Sequence, residues 1–280
     1  MEFPDLVKKY ADENSLFMPI EGTLVHYRDE GEGEPLVLLH GAFSSLHTFD
    51  DWVSILKSHF RIIRLDLPGF GLTGPAANDC FTMQAYHRFV NLFLGRLGIG
   101  RCHFAGSSLG GWIVWEYALR FPKNVNRIIL IDASGFLDEK SVPLPFKLAR
   151  VPLAGRAVKY VVRKNILEQF VRQVYGDVSL VTPALIDRYF ELFTREGNTS
   201  SFLKLVNGEM EDNSPLLSEI LAPTLIMWGK NDQWLPLENA YKFNLAIPDS
   251  RLLIYDGVGH LPMEEMPERT ASDALHFLQE

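Results

Sequence analysis

From residue 35 to residue 132 the chain alternates short apolar runs with longer stretches of helical spacing. The runs "PLVLLHG", "RIIRLDLPGFG", "RCHFAGS" and "VNRIILIDAS" are nearly continuous in Val, Ile, Leu and Phe and break on Gly, Pro or Ser. Strands buried on both faces have this character. Between them lie "DDWVSILKSHF", with Trp52, Ile55 and Leu56 on one face, "TMQAYHRFVNLFLGRLG", with Thr82 placed as a cap, and "LGGWIVWEYALRFP", which stops before Pro122. Regular alternation of this kind predicts a mostly parallel sheet with helices on both faces. Ahead of it, "GTLVHYRDEGEGEP" reads as an edge strand running into a turn. The first 15 residues read as a short amphipathic helix or an extended lead.

The alternation stops at Gly135. Up to about Leu221 the pattern is helical and carries no buried strand. The strand pattern resumes at "APTLIMWGKND", and "PLENAYKFNLAIP", "SRLLIYDGVGH" and "MPERTASDALHFLQE" follow as helix, strand and helix. The expectation is one α/β core, residues 1–134 and 222–280, with a helical insertion, residues 135–221, between two of its strands. A chain of 280 residues buries a large core and needs no metal or disulfide to hold it. Cys80 and Cys102 are read as free thiols. The net charge of −8 argues against a nucleic-acid partner, and no signal peptide or membrane span is legible, so the expected location is the cytoplasm.

Within "CHFAGSSLGGWIVW" two serines stand side by side at the junction of a buried strand and an apolar helix. A serine exposed on so sharp a turn needs small residues two before and two after it, because backbone crowds there. Ser108 has Gly106 and Gly110 in those places, whereas Ser107 has Ala105 and Leu109. Ser108 is therefore the candidate nucleophile, and Ser107 a neighbour that bonds locally. A serine is a weak nucleophile without a base. Of eight histidines, His260 is best placed, on a Gly-flanked loop after the last strand, in "YDGVGHLPMEE". His26, His59, His87, His103 and His276 fall in strands or helices and read as packed or surface residues. His40 reads as structural within its loop. The acid that orients the base is expected at Asp232, after the strand "LIMWG". Asp132, at the end of "IILIDAS", and Asp256, four residues before His260, are its rivals. Backbone N–H groups for an oxyanion are expected from Leu109, at a helix start, and from Ala42 or Phe43 in "HGAFSS". Phe43, Phe136 and Trp234 are the candidate substrate-pocket residues, and Trp112 reads equally as pocket or core.

Taken in order, "LLHGAF", "RLDLPGFGLT", "GSSLGG", "WGKNDQWLP" and "GVGHLPMEEMPE" resemble the α/β-hydrolase superfamily. The resemblance covers the sheet domain and leaves only the insertion, which in this superfamily is a variable cap. It implies the α/β-hydrolase fold: an eight-stranded, mostly parallel sheet with helices on both faces and an inserted helical cap. It also implies a Ser108–Asp232–His260 triad and no cofactor or metal. Serine at position 108 disfavours the branches with an aspartate nucleophile. "HGAFSS" lacks the Gly-rich loop of the meta-cleavage C–C bond hydrolases, and Leu261 stands where they often carry an aromatic residue. The first expectation is therefore a carboxylesterase acting on small to medium acyl esters. A C–C bond hydrolase of vinylogous diketones is the alternative, and a ligand-binding protein of little turnover the third reading.

The insertion has its own charge pattern. Lys147, Arg150, Arg156, Lys159, Arg163, Lys164 and Arg172 stand against Glu168 alone between residues 141 and 175. The plain reading is a solvated face over packed helices. The sharper one is a surface that draws an anionic substrate or a lipid surface.

Overall fold

A computed structural model describes residues 1–137, 144–150 and 163–280. Eight strands form one sheet in the order β1-β2-β4-β3-β5-β6-β7-β8. They are β1 (Leu16–Ile20), β2 (Thr23–Glu30), β3 (Glu34–Leu39), β4 (Phe60–Leu65), β5 (Cys102–Ser107), β6 (Val125–Ile131), β7 (Thr224–Gly229) and β8 (Ser250–Tyr255). The pairs β1–β2 and β2–β4 are antiparallel, and every other pair is parallel. The central strands are the apolar runs of the sequence, and β5 and β7 are buried along their whole length.

The edge differs from expectation. "GTLVHYRDE" supplies β2, which lies second in the sheet, and the edge strand is "LFMPI", with Pro19 in it. Only Ile20 of β1 is buried, so the apolar alternation that marks a strand is nearly absent there. An edge strand pairs on one side only and so tolerates proline.

Helices α2 (Asp50–Leu56), α3 (Met83–Arg96) and α4 (Leu109–Arg120) connect the parallel strands, α9 (Leu237–Ala246) follows β7, and α10 (Pro262–Glu265) and α11 (Pro267–Leu278) follow β8. The Thr82 hydroxyl accepts the Ala85 N–H and caps α3 as its position implies. The N-terminal segment is helical, α1 (Phe3–Tyr10), with Leu6 and Tyr10 buried. Trp52 and Leu56 of α2 are fully buried, and the Trp52 indole N–H donates to Thr270 of α11 at 2.8 Å. Cys80 and Cys102 are unbridged, and burial pushes the Cys102 thiol up to about 12.

Between β6 and β7 the described residues hold no strand. They form α5 (Leu144–Arg150), α6 (Lys164–Val174), α7 (Pro183–Phe193) and α8 (Asn198–Asn207), a helical cap inserted at this point of the sheet.

Asp66, just past β4, ties the top of the sheet together. Its carboxylate accepts from His26 Nδ1 at 2.7 Å, from the Leu46 N–H at 2.8 Å and from the Leu72 N–H at 2.7 Å. Burial by itself would raise this carboxyl, but the His26 charge and these bonds outweigh it and hold Asp66 well below the usual carboxylate range. A depressed carboxyl adds stability above its ordinary value, and that stability is lost as pH falls through the folded one. Asp66→Ala should therefore destabilise the fold by about 3 kcal/mol at pH 7. The gap to wild type should narrow as urea titrations are carried to acid pH.

Candidate active site

The turn from β5 into α4 holds Ser108 at φ +52°, ψ −115°, outside the region that suits an L-residue. Three backbone bonds pin it there. Its N–H donates to Ile131 O, and its carbonyl accepts from the Trp112 and Ser134 N–H groups, all at 3.0 Å. The small flanking residues are a steric requirement. A Cβ on Gly106 would stand 2.3 Å from Gly110 O, and one on Gly110 only 2.1 Å from Leu39 O. Gly111 lets α4 lie against the residues after β6, since a Cβ there would meet the Ala133 Cβ at 2.6 Å. Ser107 does not bond locally: its hydroxyl is buried without a hydrogen-bond partner among the described residues.

His260 follows β8 and Asp232 follows β7. The His260 ring donates from Nδ1 to Asp232 Oδ2 at 2.6 Å. A carboxylate can only accept, so Nδ1 carries a proton, and in the neutral ring Nε2 is the free lone pair. Asp232 Oδ1 is occupied as well, by the Trp234 N–H at 2.7 Å and the Leu235 N–H at 3.1 Å. Ser108 and His260 line one chamber. No hydrogen bond joins them among the described residues, a looseness common where substrate is absent. The two rival acids part company. Asp256 is exposed and pairs with Lys230 at 2.6 Å, away from the ring. Asp132 is fully buried and offers an oxygen within 4.8 Å of the ligating atoms of both Asp232 and His260.

On the oxyanion side, Leu109 is the first residue of α4, where the helix end favours negative charge. Phe43 takes φ +65°, and a Cβ on Gly41 would lie 3.0 Å from the Ser108 Cβ, so this loop passes directly over the serine. His40 is structural, as its position implies. Its Nδ1–H donates to Gly41 O at 2.7 Å, and its Nε2 accepts the Leu67 N–H at 2.9 Å. Burial lowers its basicity and keeps it neutral.

The chamber has about 30 Å³ of free space, enough for a water or two. Phe43 and Trp234 line it, and the Trp234 and His260 rings lie 5.7 Å apart. Phe136 does not. It packs on Phe243 of α9 at 4.6 Å, with Lys242 above its ring. Trp112 is core, its indole N–H donating to Glu116 at 2.6 Å. The cap supplies a further wall: Leu167, Phe170, Val171 and Val174 from one face of α6, and Tyr189 from α7. Their i, i+3, i+4, i+7 spacing was available in the sequence and marks this face. Without a partner element to point at, the spacing alone could not say that it faced the serine.

The cap is also strapped to the histidine loop. The His260 N–H donates to Val174 O at 2.7 Å. Glu265 accepts the Gly259 N–H at 2.7 Å and the Asp177 N–H at 2.9 Å, and Tyr175 donates to Glu264 at 2.5 Å. The basic pattern of the cap is diluted by its own acids, Arg172 pairing with Glu168 and Lys164 with Asp187. Arg156 and Lys159 lie outside the described residues.

The family model described as "alpha/beta hydrolase fold" matches residues 34–267. The chain belongs to the alpha/beta hydrolase fold family. Within this family it is 28% identical to the uncharacterized hydrolase YugF of Bacillus subtilis (strain 168), over 91% of this chain and 93% of that one. It is 27% identical to a 2-hydroxy-6-oxo-6-phenylhexa-2,4-dienoate hydrolase of Comamonas testosteroni, over 92% of each. Among solved structures it is similar to a serine hydrolase involved in carbazole degradation, the CarC enzyme, with a TM-score of 0.80 and 25% identity over 95% of this chain and 98% of that one. The chain is thus an alpha/beta hydrolase of the clan that holds meta-cleavage-product hydrolases and esterases. Among the described residues no helix is long and apolar enough to cross a membrane.

Proposed function

We propose that this chain is a serine hydrolase that cleaves the bond beside a carbonyl group, with Ser108 as nucleophile, His260 as base and Asp232 as the acid that orients the base. The observation that carries the reading is the strained Ser108 turn facing the same chamber as the free Nε2 of a histidine whose Nδ1 is held by a buried carboxylate. His260 Nε2 takes the Ser108 proton as Oγ attacks the carbonyl carbon. The Leu109 N–H, with that of Ala42 or Phe43, stabilises the oxyanion. The leaving group takes the proton back from His260, and water then releases the acyl group from Ser108. The cap selects the substrate through Leu167, Phe170, Val171, Val174 and Tyr189, which share the chamber with the serine.

Kinship with the dienoate hydrolases supports a carbon–carbon bond in a vinylogous diketone as the bond broken, ahead of the ester expected from the residues alone. One observation favours the ester. The described chamber lining carries no charged side chain, only Ser, Tyr and His among apolar groups, whereas a dienoate would bring a carboxylate with it. A substrate panel separates the two. On the first reading, 2-hydroxy-6-oxo-6-phenylhexa-2,4-dienoate is turned over at least tenfold faster, in kcat/KM, than p-nitrophenyl acetate or butyrate. The reverse order makes the protein an esterase. Turnover of neither, at any enzyme concentration, removes the proposal.

A further inference from the structure

Three strands end at one place, and each carries an ionisable group there. Asp132 follows β6, Asp232 follows β7 and His260 follows β8. One carboxylate oxygen of each aspartate and one ring nitrogen of His260 all lie within 4.8 Å of one another. Both carboxyl groups are buried, their side chains 0–1% exposed. Two carboxylates so close, and out of water, cannot both be charged.

The hydrogen bonds decide which one keeps the proton. Asp232 receives two backbone N–H groups and the His260 ring, all of which favour its charged form. Asp132 receives one donor, the Gly229 N–H at 3.0 Å on Oδ1. Its Oδ2 is buried and receives no donor among the described residues. Burial and the Asp232 charge both push Asp132 well above the usual carboxylate range. The other groups facing it, Glu265 at the end of the short helix after His260 and Tyr255 of β8, add no positive charge to reverse this. The backbone of Asp132 is itself held at φ +41°, its N–H donating to Met227 O at 3.0 Å, so the carboxyl is presented by a strained and pinned residue.

We propose that Asp132 is a positioning residue for the triad: it shares one proton with Asp232, steadies that carboxylate against His260, and can replace it on the histidine ring when Asp232 is lost. In the wild type the shared proton lies on Asp132 and draws charge from Asp232, which tempers how strongly Asp232 stabilises the imidazolium. With asparagine at 232 the neighbouring negative charge is gone. Asp132 then gives its proton to solvent, and its carboxylate accepts the Nδ1–H of His260. This inference rests on the serine-hydrolase reading above.

The test uses the full chain and whichever panel substrate it turns over fastest. Asp232→Asn is expected to lower kcat/KM by about 100-fold, against about 10⁴-fold where no second acid stands by. Adding Asp132→Asn to it should cost about another 100-fold. In the otherwise native chain Asp132→Ala removes the proton donor to Asp232. The acidic limb of kcat/KM should then move up by about half a pH unit, whereas Asp132→Asn, which still donates from Nδ2, should leave the limb in place. Asp132→Ala serves as the second variant in the Asp232→Asn background if the asparagine pair does not fold. A double variant no slower than Asp232→Asn overturns the inference, and so does an unmoved limb in Asp132→Ala. Turnover that survives in Ser108→Ala overturns instead the reading on which the inference rests.

Discussion

Replacing Ser108 with alanine should lower kcat/KM by about 10⁵-fold on any substrate the chain turns over. The melting temperature should change little. The loss is large because the hydroxyl does the one thing no neighbour can do. Ser107 is adjacent in sequence, but its hydroxyl is buried and sits on the strand side of the turn. The stability is indifferent because alanine meets the same backbone strain at φ +52° that serine does. Glycine does not. Ser108→Gly should therefore be as inactive as Ser108→Ala and about 1 kcal/mol more stable by urea denaturation. Equal stability of the two variants would mean that the turn stores no strain. Residual turnover above about 1% in either would remove serine catalysis.

Much of this arrangement is legible before any coordinates, and the reason is geometric. In a parallel sheet the strand ends gather at one edge, so a motif that follows an apolar run can be placed without knowing the packing. Ser108, Asp232 and His260 each follow such a run, and the structure brings all three to one chamber wall or its support. The same logic explains why Asp132 competed with Asp232 and could not be dismissed: it follows β6 in the same way, and it lies beside them. Asp256 also follows a strand directly, one residue past Tyr255 of β8, but its carboxylate pairs with Lys230 instead of reaching the ring. It points to solvent.

What stayed hidden depends on long-range contacts. Phe136 was drawn to the pocket by its nearness in sequence to the strand end, yet the ring packs on Phe243 in the core instead. Nothing in the sequence pairs Glu264 and Glu265 with residues 174–177 of the cap, and only the folded arrangement makes them a strap. The edge strand β1 escaped because one neighbour and one buried residue leave almost no pattern. The choice between an ester and a carbon–carbon bond is of the same kind. It is set by what the cap presses against the serine, and sequence spacing records the faces of the cap helices but not where they land.

Gly110→Ala should cost about 3 kcal/mol of stability and most of the activity with it. The new methyl carbon would fall 2.1 Å from Leu39 O and 2.7 Å from His40 O. Those obstacles are backbone, so no rotamer change relieves them, and either α4 must lift or the end of β3 must give way. Both move the same thing. The end of β3 leads through His40 into Gly41, Ala42 and Phe43, and α4 begins at Leu109, so the two halves of the proposed oxyanion pocket separate. A donor displaced by a few tenths of an ångström is weakened where the charge develops, so kcat should fall by about 100-fold or more while KM changes less. Gly95→Ala is the matched control. It lies inside α3, and a Cβ there meets nothing within 4 Å. That change should stabilise by about 0.5–1 kcal/mol, because alanine loses less backbone freedom on folding than glycine. Thermal melts of the two variants, read beside their kinetics, check whether the glycine at 110 serves chain flexibility in general or the contact between this helix and the strand that carries the oxyanion loop. Stability losses of similar size at 95 and 110 would mean that glycine is needed for something other than that contact.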